Sequence, residues 1–105
     1  MEIQKFFNDE VILLTPKRFH DSRGFFSETY NLDQFQSYGI DVHFIQDNFS
    51  SSLEPYTFRG MHFQKPPQDQ AKLVRVFRGS IIDIIIDIRK DSPTFLESKS
   101  FELSY

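Results

Sequence analysis

Turn signals recur at short intervals along this 105-residue chain and leave room only for short extended segments. Examples are Thr15-Pro16, Tyr38-Gly39 and Arg78-Gly79, where proline or glycine interrupts regular structure. The extended candidates between the turns are Val11–Leu14, Gly24–Tyr30, His43–Ser50, Thr57–Gln64, Ala71–Phe77, Ile81–Arg89 and Glu97–Leu103. Short strands at this spacing predict an all-β protein, an antiparallel sandwich or barrel.

A helix is predicted at only one place, Leu32–Tyr38, where Asn31 is a suitable N-cap and Gly39 ends the segment. The length predicts a single domain over residues 1–105. The composition includes 13 Phe and no Trp. Phenylalanine favours strands and fills barrel interiors, so most of these rings are expected in the core.

Composition also excludes several classes of protein. The net charge of −3 gives no basic excess for general nucleic-acid binding. The absence of cysteine excludes a disulfide scaffold, a thiolate zinc site and a cysteine nucleophile. The N-terminus lacks a secretion-signal pattern, and no apolar run is long enough to cross a bilayer. We therefore expect a cytoplasmic protein with no nucleic-acid or membrane partner.

The most apolar segment, Ile81–Arg89, divides into two unlike faces because side chains alternate along a strand. One face carries Ile82, Ile84, Ile86 and Ile88, and the other carries Ile81, Asp83, Ile85 and Asp87. A strand this hydrophobic is expected at the centre of a sheet, with at least one carboxylate in a wet internal pocket. The alternative is that both carboxylates belong to the polar face of a half-exposed strand.

Two further side chains suit proton-transfer chemistry. His62 lies in Thr57–Gln64, and Lys72 shares a face with Val74 and Val76 at the end of an apolar row. If the strands are neighbours, His62, Lys72 and Asp83 converge. The simpler alternatives are that the histidine is a hydrogen-bonded structural residue and that the lysine lies at a sheet edge with its ammonium in water.

A metal centre is not expected. Metal-binding barrels of this kind place two histidines one residue apart, but here the segment reads His62-Phe63-Gln64, with no glutamate soon after. A single imidazole does not build a zinc or iron site. We therefore predict a barrel without metal or other cofactor.

Five ordered blocks resemble the bacterial dTDP-4-dehydrorhamnose 3,5-epimerases, a metal-independent branch of the cupins. They are D-S-R-G-F-F-S-E-T-Y, I-Q-D-N-F-S, R-G-M-H-F-Q, Q-A-K-L-V-R-V-F-R-G-S-I-I-D-I-I-I-D-I-R and D-S-P-T-F. The resemblance implies an antiparallel cupin-type jelly-roll barrel. It also implies epimerisation at C3 and C5 of dTDP-4-dehydro-6-deoxy-D-glucose, giving dTDP-4-dehydro-L-rhamnose for rhamnose and polysaccharide biosynthesis.

The resemblance also implies residue roles: His62 is the base, Lys72 stabilises the enolate oxygen, and a further set binds the nucleotide sugar. That set comprises Arg23, Glu28, Gln46, Asp47, Asn48 and Arg59, with Phe19 as a weaker candidate for stacking on thymine. Asp83 is our own addition, inferred from its strand position, as a carboxylate that orients the lysine or the histidine.

Full members of the family continue beyond residue 105, where their tyrosine acid lies, so the barrel is expected to be incomplete at the C-terminal end. Exposed strand edges then favour a homodimer with strand exchange. Two other functions remain open. One is a sugar-nucleotide ketoisomerase or single-site epimerase on the same scaffold, and the other is a non-catalytic module that binds sugar nucleotides.

Overall fold

The computed structural model describes residues 1–105, and strands account for most of its regular structure. In chain order the elements are β1 (Glu2–Phe6), β2 (Val11–Thr15), β3 (Phe19–Asp21), β4 (Gly24–Phe26), α1 (Leu32–Ser37), β5 (Ser80–Ile86) and β6 (Ser98–Ser104). They form three antiparallel two-stranded sheets, β1-β2, β3-β4 and β5-β6. The prediction of a mostly-strand chain with a single short helix is confirmed.

The chain divides into two compact units. Unit 1 comprises Met1–Ile40 and Arg75–Tyr105, and unit 2 is Asp41–Val74. Every strand and the helix belong to unit 1, and unit 2 contains neither. The prediction of one domain over residues 1–105 stays a prediction.

The core of unit 1 is built from three phenylalanines, Phe7, Phe35 and Phe101. Phe101 on β6 packs edge-on against Phe6 on β1, with ring centroids 5.2 Å apart. Phe35, only 1% exposed, is the buried residue of α1 and meets the ring of Tyr30 at 4.8 Å. Burial of a large aromatic ring is a major source of stabilisation, so these contacts join the N-terminal hairpin to β6 and fix the helix.

The helix begins where the sequence predicts. The side chain of Asn31 accepts a hydrogen bond from the backbone N–H of Gln34 at 3.0 Å, as an N-cap does. At the other end Gly39 has φ +84°, a left-handed conformation that suits glycine after a helix. The predicted cap and the predicted stop are both confirmed.

Several predicted strands are wrong. No strand forms in His43–Ser50, Thr57–Gln64 or Ala71–Phe77, and the segment from Gly24 forms a strand only to Phe26. Alternation and β-branched composition favour an extended chain, but a strand also needs a partner for its backbone hydrogen bonds. Over these segments the backbone makes no such ladder. The short strand β3 and the N-terminal strand β1 were not predicted.

On β5 the carboxylate face is the more buried one, in line with the expectation of an inward carboxylate, but the predicted central position of the strand is wrong. The isoleucine face is exposed, with Ile82 at 72%, whereas Asp83, Ile85 and Asp87 lie on the more buried side. β5 pairs only with β6, so it is not a central strand.

The prediction that most phenylalanine rings lie in the core is wrong. Eight of the thirteen are exposed: Phe19, Phe25, Phe26, Phe49, Phe58, Phe63, Phe77 and Phe95.

Candidate functional site

His62, the predicted base, is an exposed side chain beside a glycine in unit 2. Gly60 has φ +120°, which side-chain-bearing residues rarely adopt. A Cβ at this position would lie 3.6 Å from Nδ1 of the His62 ring. That distance is an ordinary van der Waals contact, so it is the positive φ that requires glycine here. The exposed imidazole ring is open to a ligand from solvent.

Arg59 precedes that glycine and is held by hydrogen bonds within unit 2. Its Nε donates to Ser52 Oγ at 3.3 Å, and its Nη2 donates to the carbonyl of Ser51 at 3.4 Å. Both partners are neutral, so the guanidinium keeps its full charge. An exposed, uncompensated guanidinium is suited to binding an anion.

The polar segment Gln46, Asp47 and Asn48 is exposed in the same unit, and the amide of Gln46 donates to Asn48 Oδ1 at 3.2 Å. Gln46 also lines a cavity of about 220 Å³ bounded by Val42–Gln46 with Gln70 and Ala71. Lys72 follows Ala71 and is exposed. Unit 2 thus carries six of the predicted site residues: His62, Lys72, Arg59, Gln46, Asp47 and Asn48.

Arg23, in unit 1, forms a two-point ion pair with Asp21 at the turn of the β3-β4 hairpin. Its Nη2 lies 2.6 Å from Asp21 Oδ2 and its Nε lies 3.2 Å from the same oxygen. The backbone N–H of Arg23 also donates to Asp21 Oδ1 at 2.8 Å. The hydrogen bonds from Arg23 lower the pKa of the Asp21 carboxyl, and the carboxylate raises the pKa of Arg23.

Glu28 is held by the helix. Its Oε1 accepts a hydrogen bond at 2.9 Å from the side-chain amide of Gln34 on α1. Because buried Phe35 and the Asn31 cap fix α1, the carboxylate has a defined position.

Phe19 is more than half exposed, and the ammonium of Lys17 lies 5.1 Å from its ring centroid. That ring is available for stacking and already takes part in a cation–π contact.

Asp83 lies on the half-buried face of β5, opposite Phe101 of β6. The predicted site residues of unit 1 are therefore Arg23, Glu28, Phe19 and Asp83. Among the predicted site residues of both units, Gln46 and Asn48 contact each other through a hydrogen bond. The convergence of His62 and Lys72 with Asp83 stays a prediction, because the first two belong to unit 2.

The polar cluster that surrounds Asp87 was not predicted from the sequence. Asp87 is 6% exposed and accepts hydrogen bonds from the side chains of Arg89 (2.9 Å), Ser92 (2.6 Å) and Thr94 (2.6 Å). These donors hold the pKa of the Asp87 carboxyl far below its usual range. The signal was present in D-I-R-K-D-S-P-T, where hydroxyls follow an Asp-x-Arg pair.

Arg89 ties this cluster to the N-terminal hairpin. Its Nη2 donates to the carbonyl of Phe7 at 3.3 Å, and its Nη1 lies 3.5 Å from Glu10 Oε1. No buried side-chain polar atom in the chain lacks a hydrogen-bond partner. The cluster is therefore a hydrogen-bonded network around one buried carboxylate, and it joins the end of β5, the following turn and the β1-β2 hairpin.

No three histidine, cysteine, aspartate or glutamate side chains lie close enough together to hold a metal ion. No helix has the length and apolar character needed to cross a membrane.

The chain is similar to a family of sugar-nucleotide epimerases. The sequence profile of the dTDP-4-dehydrorhamnose 3,5-epimerases matches residues 8–105. A dTDP-4-dehydrorhamnose 3,5-epimerase of Methanothermobacter thermautotrophicus is 45% identical over 96 residues, which are 91% of this chain and 51% of the relative. A dTDP-4-dehydrorhamnose 3-epimerase of Streptomyces niveus is 37% identical over 83 residues, 78% of this chain and 40% of the relative.

A crystal structure of the 3,5-epimerase of Bacillus anthracis, with TDP and PPi bound, superimposes with a TM-score of 0.93 at 45% identity. The match covers 98% of this chain and 59% of that one. The predicted cupin-type fold is confirmed by this match, together with the family profile. The chain spans about half the length of the curated relatives it matches.

Proposed function

Because the chain belongs to the dTDP-4-dehydrorhamnose 3,5-epimerase family, we propose that it acts on dTDP-4-dehydro-6-deoxy-D-glucose and epimerises C3 and C5 in dTDP-rhamnose biosynthesis. The observation that carries the proposal is the family match over residues 8–105, which includes the R-G-M-H-F-Q and Q-A-K-L-V-R segments. The product is dTDP-4-dehydro-L-rhamnose.

The chemistry requires a base and a stabiliser of negative charge. The ketone at C4 acidifies the protons on C3 and C5, and their removal places charge on the C4 oxygen. His62 takes the proton, since a ring nitrogen of imidazole can accept one and the ring is exposed to a ligand. Lys72 stabilises the enolate oxygen, a position at which a cation lowers the barrier strongly. No step needs a metal or an organic cofactor.

Further residues are proposed to bind the nucleotide sugar. Arg59 and Arg23 bind the diphosphate through their guanidinium groups, because the planar fork of arginine matches phosphate oxygens. Glu28 binds the sugar, and Gln46, Asp47 and Asn48 line the nucleotide end. The exposed ring of Phe19 stacks on thymine. Asp83 orients Lys72 or His62. These assignments rest on the resemblance and on the exposed guanidinium groups and ring described above.

A second candidate function is epimerisation at a single carbon. The 37% identity to a protein named dTDP-4-dehydrorhamnose 3-epimerase favours it. The same base and oxyanion stabiliser serve both reactions, because one enolate chemistry exchanges the proton at C3 or at C5. The two functions differ in whether both C3 and C5 of the sugar are epimerised or only one of them.

We also propose that two copies of the chain associate by exchanging strands. All three sheets are two-stranded, so each strand has one edge without a partner strand. Unpaired edges of this kind readily accept a strand from another chain. Analytical ultracentrifugation over a range of concentrations tests this, and a sedimentation coefficient that stays monomeric contradicts it.

Incubation of the 105-residue chain with the substrate in deuterium oxide tests the reaction. NMR then reads proton loss at C3 and C5 of the sugar. Exchange at both positions supports 3,5-epimerisation, and exchange at one supports the single-site enzyme. Binding of TDP without exchange at either position indicates a non-catalytic binding module. A chain that neither exchanges protons nor binds TDP contradicts the proposed function.

A further inference from the structure

The Arg23 guanidinium is held along one edge only. Asp21 accepts from Nε at 3.2 Å and from Nη2 at 2.6 Å, so the carboxylate occupies the edge between these two nitrogens. The backbone N–H of Arg23 donates to the same carboxylate at 2.8 Å, which fixes Asp21 relative to the main chain of the turn. The hairpin pairing of Asp21 with Gly24 holds both ends of that turn.

The Nη1–Nη2 edge of the same guanidinium faces solvent. Arginine has five N–H donors in a rigid fork, and Asp21 engages those on one side. All the hydrogen bonds that Arg23 makes go to Asp21, and the Arg23 side chain is 87% exposed. The edge between Nη1 and Nη2 is therefore open. Two parallel N–H groups on such an edge match two oxygens of a phosphate.

Arg89 shows the same local motif used differently. It is also two residues after an aspartate, and it also binds that carboxylate through Nε, Nη2 and its backbone N–H. Its outer nitrogens, however, are engaged by the Phe7 carbonyl and by Glu10. At Asp87 the outer nitrogens of the arginine are thus bound by other residues of the protein, whereas at Asp21 they are free to bind a ligand.

We propose that Asp21 is a positioning residue for diphosphate binding, which fixes the inner edge of the Arg23 guanidinium so that its outer edge receives a phosphate group. The inference rests on the proposed function of Arg23. A held side chain loses less rotamer freedom when the ligand binds than a mobile one does.

The negative charge of Asp21 weakens diphosphate binding, because a carboxylate repels an anionic ligand. This repulsion is smaller here than the gain from ordering the Arg23 side chain. The carboxylate occupies the Nε–Nη2 edge and leaves the Nη1–Nη2 edge free, and its side chain is half exposed, so water and salt screen its repulsion. The ordering of the arginine is not screened. The net effect of Asp21 on diphosphate binding is therefore favourable.

Calorimetric titration of the 105-residue chain with TDP, and separately with pyrophosphate, tests the proposal. Asp21→Asn should weaken both affinities by about three- to tenfold, the range expected for immobilising one long side chain. The same substitution in an Arg23→Ala background should change neither affinity, because the group that Asp21 positions is gone. In an Arg23→Lys background the effect should also vanish, since a single ammonium has no second edge to present.

Asp9→Asn is the matched control. Asp9 is an exposed carboxylate in an ion pair of 3.5 Å with Lys5, so its substitution removes the same charge. It should leave both affinities unchanged. Thermal unfolding of each variant shows whether the turn remains folded, and an Asp21→Asn effect that persists in the Arg23→Ala background indicates a purely structural role and overturns the proposal.

The outcomes separate the inference from the proposed function. If the wild-type chain binds TDP and Arg23→Ala weakens binding, but Asp21→Asn binds equally or more tightly, only the inference is overturned. If Arg23→Ala binds TDP as well as wild type, the assignment of Arg23 fails and the inference fails with it. If the wild-type chain binds neither TDP nor pyrophosphate, both the inference and the proposed nucleotide site are overturned.

Discussion

The two units of this chain differ in what their residues do. Unit 1 contains all of the strands, the helix, the three buried phenylalanines and the hydrogen-bonded network around Asp87. Unit 2 contains none of these, yet it carries the proposed base His62, the proposed oxyanion stabiliser Lys72 and Arg59. The residues that stabilise the fold and the residues proposed for the chemistry are thus largely segregated.

Such segregation has a physical basis. Buried polar groups and close-packed rings stabilise a structure because they exclude water. A base and its companions must instead meet a ligand from solvent, so they cannot be sealed in a core. If this comparison is right, substitutions in unit 2 should change activity with little effect on stability, and substitutions in the Asp87 network should do the reverse.

The largest expected effect is that of His62→Asn. Asparagine cannot act as a base near neutral pH, so proton exchange at the sugar should be abolished. Nucleotide binding should remain near wild type, because the ring acts on a C–H bond and not on the phosphates. NMR in deuterium oxide measures the exchange and titration with TDP measures the binding. His20→Asn, the same substitution in unit 1, is the control, and exchange at the wild-type rate in His62→Asn would show that His62 is not the base.

Lys72→Ala should be next in size. Loss of one group that stabilises an oxyanion lowers kcat by roughly 100- to 1,000-fold. The affinity for TDP and the thermal unfolding midpoint should change little, because Lys72 is exposed. Steady-state kinetics separates kcat from KM, with Lys65→Ala as a control for loss of a neighbouring exposed lysine. A change in KM alone would assign Lys72 to binding.

Arg59→Ala should act mainly on binding. A charge-assisted hydrogen bond to a phosphate contributes about 1.5–3 kcal/mol, so the affinity for TDP should fall by about 10- to 100-fold. Calorimetry measures this, and Arg78→Ala controls for the loss of one positive charge. If kcat falls while KM is unchanged, the roles of Arg59 and Lys72 are reversed.

Asp87→Asn should change stability and not chemistry. The amide replaces one of the two acceptor oxygens with an NH2 donor, so part of the hydrogen bonds now made by Arg89, Ser92 and Thr94 is lost. The midpoint of thermal unfolding should therefore fall by on the order of 10 °C. Asp91→Asn, an exposed carboxylate nearby, should leave the midpoint unchanged. An unchanged midpoint in Asp87→Asn would remove the basis for assigning stability to unit 1.

The Asp87 carboxylate also makes the free energy of unfolding depend on pH. The folded pKa of Asp87 lies below its unfolded value, because Arg89, Ser92 and Thr94 stabilise the charged form. Its contribution to stability is therefore complete above the unfolded value of about 3.9 and is lost as the pH falls below it. Unfolding measured between neutral and acid pH should show this loss in wild type and a shallower one in Asp87→Asn.

The smallest effect should come from a chelator. Gln64 stands where a metal-binding barrel has its second histidine, and no cluster of metal-ligating side chains exists in the chain. Treatment with a chelator should therefore leave unfolding and proton exchange unchanged. Elemental analysis that found about one tightly bound transition metal per chain would contradict this, since affinity follows ligand number and type.

Local features were predictable from sequence where the determining contact is itself local. The Asn31 cap, the short helix and the Gly39 stop depend on residues within a few positions of one another, and all three are as predicted. The exposure of Ile82 was not predictable, because it depends on which face of β5 meets the rest of unit 1. The network around Asp87 was missed for a related reason. Its local Asp-x-Arg pair is visible in the sequence, but the Phe7 carbonyl and Glu10 reach Arg89 only in the folded chain.

The sequence by itself determined the fold class, the family and the short-range geometry. Ordered motifs, turn residues and capping residues each carry that information within a few neighbouring positions. Only the tertiary structure decided which of two identical Asp-x-Arg motifs is closed and which is open. Arg89 contacts the N-terminal hairpin, which is distant in sequence, whereas Arg23 and Asp21 lie at a turn where their side chains are 87% and 50% exposed. Burial depends on contacts between segments that are distant in sequence. The same local motif therefore links two segments at Arg89, whereas at Arg23 it leaves the guanidinium exposed to solvent.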